Sequence, residues 1–358
     1  MASDIARSRF QIAIIVSGLV FVLCGLLYTG LNFVGTDPQN QQNTKEIDAC
    51  TTIDKPGRYE LTKDIEDSNA NKCIRITSSN VVLNGNGHSI DGTGAFGTGG
   101  VLVGSFKTST ENVSVRNINV SDWDDGIRYI HVTNGTVANT VTENNRVGLT
   151  LLSSNQSSVI NNTAIQNAVY GISLQETSHD NVIANNTASS NTLFGIHLIQ
   201  NGVKNNVIES NFAARNEYGI VLIGTIENTI INNTVVSNRI AGVWLSESDD
   251  NTIIHNTASN RFYGVYLGDQ SNQNLLSNNT ATKNAVGIRL LHSDNNDITG
   301  NTVMDSSVQA ILLIASNGIV VTENRLSNNS AAIVQIRSNN ISQADSYDES
   351  IEKLQIGL

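Results

Sequence analysis

The chain has 358 residues, of which 39% are hydrophobic, 5% aromatic and 15% charged, with 28 Gly, 2 Pro and 49 Asn. So much Asn with so little charge excludes a coiled coil or a helix-dominated fold, because Asn forms helices poorly and competes for backbone hydrogen bonds. A net charge of −11 with 21 Lys+Arg offers no basic surface for phosphates, so no nucleic-acid partner is expected.

The first predicted element is a membrane span. Residues 10–35 carry no charge, Arg7 and Arg9 precede them, and Asp37 follows. About 20 apolar residues cross a bilayer, and the positive-inside rule leaves residues 1–9 cytoplasmic and the rest exported. A cleaved secretory signal is the alternative, although its apolar core would be shorter. Residues 36–45 read as a polar linker. Cys50 and Cys73 are the only cysteines beyond the span. An exported pair is expected to close as a disulfide, two free buried thiols being the alternative.

From there a repeat organises the chain. Gly-[Ile/Val/Leu]-x-Leu recurs from Gly148, Gly171, Gly195, Gly219, Gly242, Gly264 and Gly287, with Gly126 before them and Ala310 and Ala332 after, in steps of 22–24 residues. Between these lie segments such as Asn251-Thr-Ile-Ile. One Asn column runs through 139, 162, 186, 211, 233, 256, 279, 301 and 324, and a second through 167, 191, 216, 238, 260 and 284. Short apolar strands separated by Asn and Gly turns, in units too small to fold alone, must stack on one another. Parallel stacking sets equivalent Asn side chains about 4.8 Å apart, where they can bond as a ladder. The predicted fold is an all-β, single-stranded parallel β-helix over residues 73–340. Residues 46–72 are expected to cap its start. Residues 341–358, with Tyr347, Ile351 and Leu354 at i, i+4, i+7, are expected to cap its end.

This repeat, with Asn80–Gly92 reading NVVLNGNGHSIDG, resembles the right-handed β-helix proteins of the NosD type. Those belong to the carbohydrate-binding and sugar-hydrolase domain group of the pectate-lyase-like superfamily. The resemblance implies a right-handed coil, and an acidic, exported, membrane-tethered member is similar to archaeal cell-surface proteins. It brings up copper, which NosD proteins are associated with. Copper sites want Cys, Met or clustered His. Apart from Met1 the only methionine is Met304, and His131 and His292 stand seven coils apart, so no copper site is expected. Asp124-Asp125-Gly126 resembles the paired Asp of polygalacturonases. Gly99-Gly100 and Arg146-Val147 replace that site's other two parts, so a solvated turn is the expectation. His88 is expected to be structural.

Two columns carry the functional candidates. Two residues after each Gly stand Arg128, Thr150, Ser173, His197, Val221, Trp244, Tyr266 and Arg289, expected to point to solvent between inward Ile and Leu. Five residues after Gly stand His131, Ser153, Glu176, Gln200, Gly224, Glu247, Asp269 and His292. Trp244, Tyr266, Arg289 and His197 are the sugar-binding candidates, since aromatic faces stack on sugar rings. Glu247, Asp269 and His292 are the catalytic candidates, as two carboxylates at close spacing can act as acid and nucleophile. Ser246 and Gly268 leave a depression between the columns. A plain solvated face is the alternative. No cofactor is expected, although Glu247, Asp249, Asp250, Asp269 and Asp294 supply oxygen ligands suited to Ca²⁺. A further aromatic column at Tyr170, Phe194, Tyr218 and Tyr263 either extends the groove or packs over the turns. Ten Asn-x-Ser/Thr sequons are open to glycosylation in an exported chain.

The sequence therefore points first to a membrane-anchored extracytoplasmic β-helix that binds polysaccharide or glycoconjugate. A polysaccharide hydrolase, lyase or epimerase, and a ligand-free adhesive stalk, stand as the other readings.

Overall fold

The computed structural model describes residues 44–344 and the strand Tyr347–Asp348. The expected membrane span, residues 1–43 in general, and residues 349–358 of the expected end cap lie outside the described residues. Among the described residues every element is a strand, and the strands form three long parallel sheets of 13, 14 and 12 strands plus a two-stranded ribbon. A single coil shows the plan. Tyr218–Ile223 lies in the 13-stranded first sheet, Thr229–Ile231 in the 14-stranded second, and Thr234–Val236 in the 12-stranded third. Ala241–Ser246 then returns to the first sheet one rung on. The first sheet sets the count at about thirteen coils.

Inward positions stack like on like. Ile172, Ile196, Ile220, Val243, Val265 and Ile288 form one core column, and Leu174, Leu198, Leu222, Leu245, Leu267 and Leu290 the next, all fully buried. Each such side chain contributes about 1.5–3 kcal/mol of burial. The third sheet faces them with smaller residues, Ala188, Ala213, Val235, Ala258, Ala281 and Val303, so the coil narrows toward its third turn.

That narrowing explains the repeated glycine. A Cβ on Gly219 would lie 2.6 Å from the Gly242 carbonyl oxygen and 2.9 Å from Asn238 Nδ2; on Gly287 it would lie 2.2 Å from Val303 Cγ1. These glycines are needed for close approach, since their φ is not positive. The missing side chain points inward, as does the Ile or Val that follows. Strand alternation breaks there, so the residue before glycine and the residue two after it share the outer face.

Buried Asn ladders join the coils. At the second turn Asn233 Nδ2 donates to Asn256 Oδ1 (3.0 Å) and to the Ile208 and Ile231 carbonyls (2.8 and 3.0 Å). At the third turn Asn216 Nδ2 donates to Asn238 Oδ1 (3.2 Å), and Asn238 Nδ2 to Asn260 Oδ1 (2.9 Å). The structure adds a ladder that the column reading omits, Asn181, Asn206, Asn228, Asn251, Asn274 and Asn296 at the entry to the second sheet. It also corrects one rung. Thr140, not Asn139, is the ladder member of its coil, donating from N and Oγ1 to Asn162 Oδ1 (3.0 and 2.8 Å), whereas Asn139 adopts φ 54°. The left-handed corner belongs to the residue before the ladder Asn, as at Asn161, Asn185, Asn232 and Asn278. Adjacent asparagines thus divide two tasks.

The ends continue the same plan. Lys45–Ile47, Thr51–Ile53 and Gly57–Leu61 already pair in parallel with later strands. Cys50 and Cys73 form the expected disulfide, Cα atoms 4.3 Å apart, across the first two rungs of the first sheet. Ser342–Ala344 and Tyr347–Asp348 each extend a sheet as strand.

Candidate functional site

The outer face of the first sheet carries the expected column in register, Arg128, Thr150, Ser173, His197, Val221, Trp244, Tyr266 and Arg289. It points outward as expected, but its middle is covered rather than solvated. Thr150, Ser173, His197 and Val221 are buried. Tyr170 and Phe194, each just before a glycine, lie against His197 there, since the break in alternation turns them onto the same face.

A continuous ribbon results. Tyr170 stacks on Phe194 at 5.4 Å, Phe194 meets Tyr218 edge-on at 5.6 Å, and Tyr218 stacks on Trp244 at 4.8 Å. Trp244 stacks on Tyr266 at 6.5 Å, and Tyr266 leans on Tyr263 at 5.1 Å. Arg289 closes the row, its guanidinium 5.0 Å from the Tyr263 ring and 4.8 Å from the Tyr266 ring. The rings are half-buried, which leaves edges and faces open to a flat apolar partner. Gly268 belongs to this arrangement, because a Cβ there would lie 2.9 Å from the Tyr266 hydroxyl.

His197 sits beneath the ribbon rather than on it. It is 1% exposed, with ring centroids of Tyr170 and Phe194 at 4.6 and 4.8 Å, and its Nε2 has no hydrogen-bond partner. Burial pushes its pKa down to about 4, so the ring is neutral near pH 7. It supports the rings from below.

The catalytic candidates gather at the strand exits. Glu247, Asp269 and His292 are exposed, each adopts a left-handed φ near 50°, and they stand on three successive coils. The backbone fixes the rungs, with Glu247 N donating to the Asp269 carbonyl at 3.0 Å. Ser246 Oγ donates to Asp269 Oδ2 at 3.2 Å. Together with Asp249, Gln270 and Asn272 they line an open polar hollow of about 530 Å³. Trp244, Tyr266 and Arg289 are not among its lining residues. The structure therefore unites the three acid-edge residues and sets the aromatic trio on a neighbouring surface.

Other sequence candidates resolve into scaffold. Asp249 Oδ1 accepts from Asn272 N (2.6 Å), Asn272 Oδ1 from Asp294 N (2.7 Å), and Asp294 Oδ1 from Asn317 N (2.7 Å), a further ladder of backbone caps. Asp124 and Asp125, expected at a solvated turn, are buried and paired with Arg146 and Arg128. The residue that departs from the polygalacturonase pattern, Arg146, is thus the counter-ion of Asp124. His88 Nδ1 lies 3.1 Å from Asp64 Oδ1, and the Ser89 N–H and that imidazole hold the Asp64 carboxyl below its usual range.

Comparison with known proteins places this geometry in context. Residues 68–241 match the family model described as periplasmic copper-binding protein (NosD), and residues 202–346 match the right-handed β-helix region model. Curated protein sequences give no match. Among solved structures, the A-module of a mannuronan C-5 epimerase of Azotobacter vinelandii aligns with a TM-score of 0.58 at 14% identity, over 85% of this chain and 89% of that one. PfbA, a surface adhesin of Streptococcus pneumoniae, aligns with a TM-score of 0.61 at 13% identity, over 76% of this chain and 83% of that one. The Dettilon tailspike protein aligns with a TM-score of 0.55 at 17% identity, over 81% and 61%. Identities this low speak to the fold. Among the described residues no group of three or more His, Cys, Asp or Glu is placed to hold a metal ion, and Cys50 and Cys73 are bonded to each other.

Proposed function

The chain is a NosD-like right-handed parallel β-helix protein, and we propose that it binds polysaccharide along the aromatic ribbon of its first sheet. The observation that carries this reading is the unbroken row from Tyr170 to Tyr266 ending at Arg289. Half-exposed rings at one-coil spacing, about 4.8 Å, offer successive flat surfaces to the C–H faces of a sugar chain. The guanidinium at the row's end adds a planar hydrogen-bonding group. A fold shared with a mannuronan epimerase and a surface adhesin agrees with a glycan-facing role. In this reading the apolar run at residues 10–35 tethers the solenoid outside the membrane.

Binding of the exported part to an immobilised glycan panel tests the idea. Trp244→Ala, which removes the centre of the ribbon, should weaken binding at least tenfold while coil content by circular dichroism is retained. Undiminished binding in that variant would overturn it, and failure to bind any glycan would favour the adhesive stalk.

The hollow at Glu247, Asp269 and His292 supports a second reading, a polysaccharide-processing enzyme. Release of reducing ends or unsaturated products, abolished in Glu247→Gln, is its signature. A flat time course across acidic and neutral glycans would sink it.

A further inference from the structure

We propose that the third-turn corner is a separate ligand track, a ladder of four cations that holds a linear anionic polysaccharide parallel to the solenoid axis. Arg215, Arg239, Arg261 and Lys283 stand on four consecutive coils, each next to a member of the ladder Asn216, Asn238, Asn260 and Asn284. All four side chains are exposed. Their backbones are fixed. Arg239 N donates to the Asn216 carbonyl (2.8 Å) and Arg261 N to the Asn238 carbonyl (3.1 Å). The coils that carry the row are therefore fixed in advance at the strand spacing, about 4.8 Å per rung, with Arg215 and Lys283 just before the ladder Asn and Arg239 and Arg261 just after it. That rung is close to one sugar residue of an extended chain.

Charge is segregated around this part of the solenoid. Between Lys204 and Arg289, inclusive, the sequence has six cations, and four of them are at this corner. Glu227, Glu247, Asp249, Asp250 and Asp269 lie at the opposite end of the first-sheet strands. At the cationic corner the carboxylates are Glu217, 2.6 Å from Arg239 Nη2, and Asp305, which holds the position of Lys283 one rung further on. Four cations less two carboxylates leave a local charge of +2 in a chain of net −11. The overall acidic balance conceals it.

The surface also has room and the right neighbours for sugar. Ser190, Thr192, Arg215, Glu217, Ser237 and Arg239 border an open hollow of about 400 Å³. One coil on, Arg261 lies over the Phe262 ring at 5.2 Å, and that ring is 42% exposed. Hydroxyls, cations and an exposed ring suit a chain carrying both anionic groups and C–H faces. A nucleic acid fits less well, because its dense phosphates would face the acidic remainder of the surface. The track lies beside the ribbon and does not depend on it for its chemistry.

The test uses the full chain in detergent, with polygalacturonate, dextran sulfate, uncharged dextran and single-stranded DNA as probes. Wild-type protein should bind one of the two anionic glycans, the preferred one telling carboxylate from sulfate, and should not bind dextran. Arg239→Gln/Arg261→Gln/Lys283→Gln should lose at least tenfold in affinity and show a shallower salt dependence. The three side chains are exposed, so an unchanged melting temperature is expected, and Arg239→Lys/Arg261→Lys should restore most binding. Trp244→Ala should leave this binding in place, which separates the track from the ribbon. Equal binding by the triple Gln variant, no binding of either anionic glycan, or tighter binding of DNA than of both would overturn the proposal.

Discussion

Arg289 donates from Nη1 to the Tyr263 hydroxyl of the coil before it at 2.6 Å, while its guanidinium covers that same ring at 5.0 Å. One side chain thereby ends the aromatic row by charge, by hydrogen bond and by contact. Arg289→Ala is expected to cost about 1–2 kcal/mol and to weaken glycan binding. Arg289→Lys keeps the charge but loses the planar fork, so it should recover less than half of either loss. Denaturant midpoints and glycan titrations check both, and a lysine variant equal to wild type would show that charge alone suffices.

Two adjacent asparagines should behave very differently. The Asn233 side chain donates to Ile208, Ile231 and Asn256 and accepts from Asn211 N and Nδ2. Asn233→Ala strips the buried partners of five bonds and should cost about 3 kcal/mol or more. Asn232 contributes a left-handed φ of 56°, which glycine adopts freely, so Asn232→Gly should change stability by less than about 1 kcal/mol. Thermal midpoints of the two variants decide this. Similar losses would mean that the ladder bonds add little.

His197 gives the fold a pH dependence of known sign. Burial depresses its folded pKa to about 4, below the unfolded value near 6.5. The unfolded chain therefore binds more protons between those values, and stability falls as pH drops from about 6.5 toward 4. The contribution is at most about 3 kcal/mol across that window. Compared with His197→Gln, wild-type protein should lose more stability between pH 7 and pH 4. Parallel stability curves for the two would show that the imidazole is solvated in the folded state.

The fold was legible because its two strictest demands have few solutions. Close approach at the third turn admits Gly, and a buried side chain that both donates and accepts along a stack is met by Asn, so both recur at the coil period. The ladder from Asn181 to Asn296 was missed because each member directly precedes a second-sheet strand and reads as the start of that strand. At the candidate site, Glu247, Asp269 and His292 were aligned by the column reading, since each directly follows its first-sheet strand, although Gln270 adds a residue to the middle corner. The cover over His197 was not, because strict alternation sends Tyr170 and Ser173 to opposite faces. Only the inward-pointing glycine puts them together. The cationic corner escaped for another reason. Its members are split between positions on either side of the ladder Asn, and neutral Ser237, Ser259 and Ala285 interrupt both columns.

The uniform rung has a consequence for how such a molecule changes length. Each coil touches only its neighbours, so duplicating some 23 residues adds one rung without redesigning any other. The same step lengthens the core, the ladders, the aromatic row and the cationic corner together, by about 4.8 Å. The solenoid behaves as a ruler, on which reach across a surface and the number of contacts offered to a polymer grow in fixed proportion.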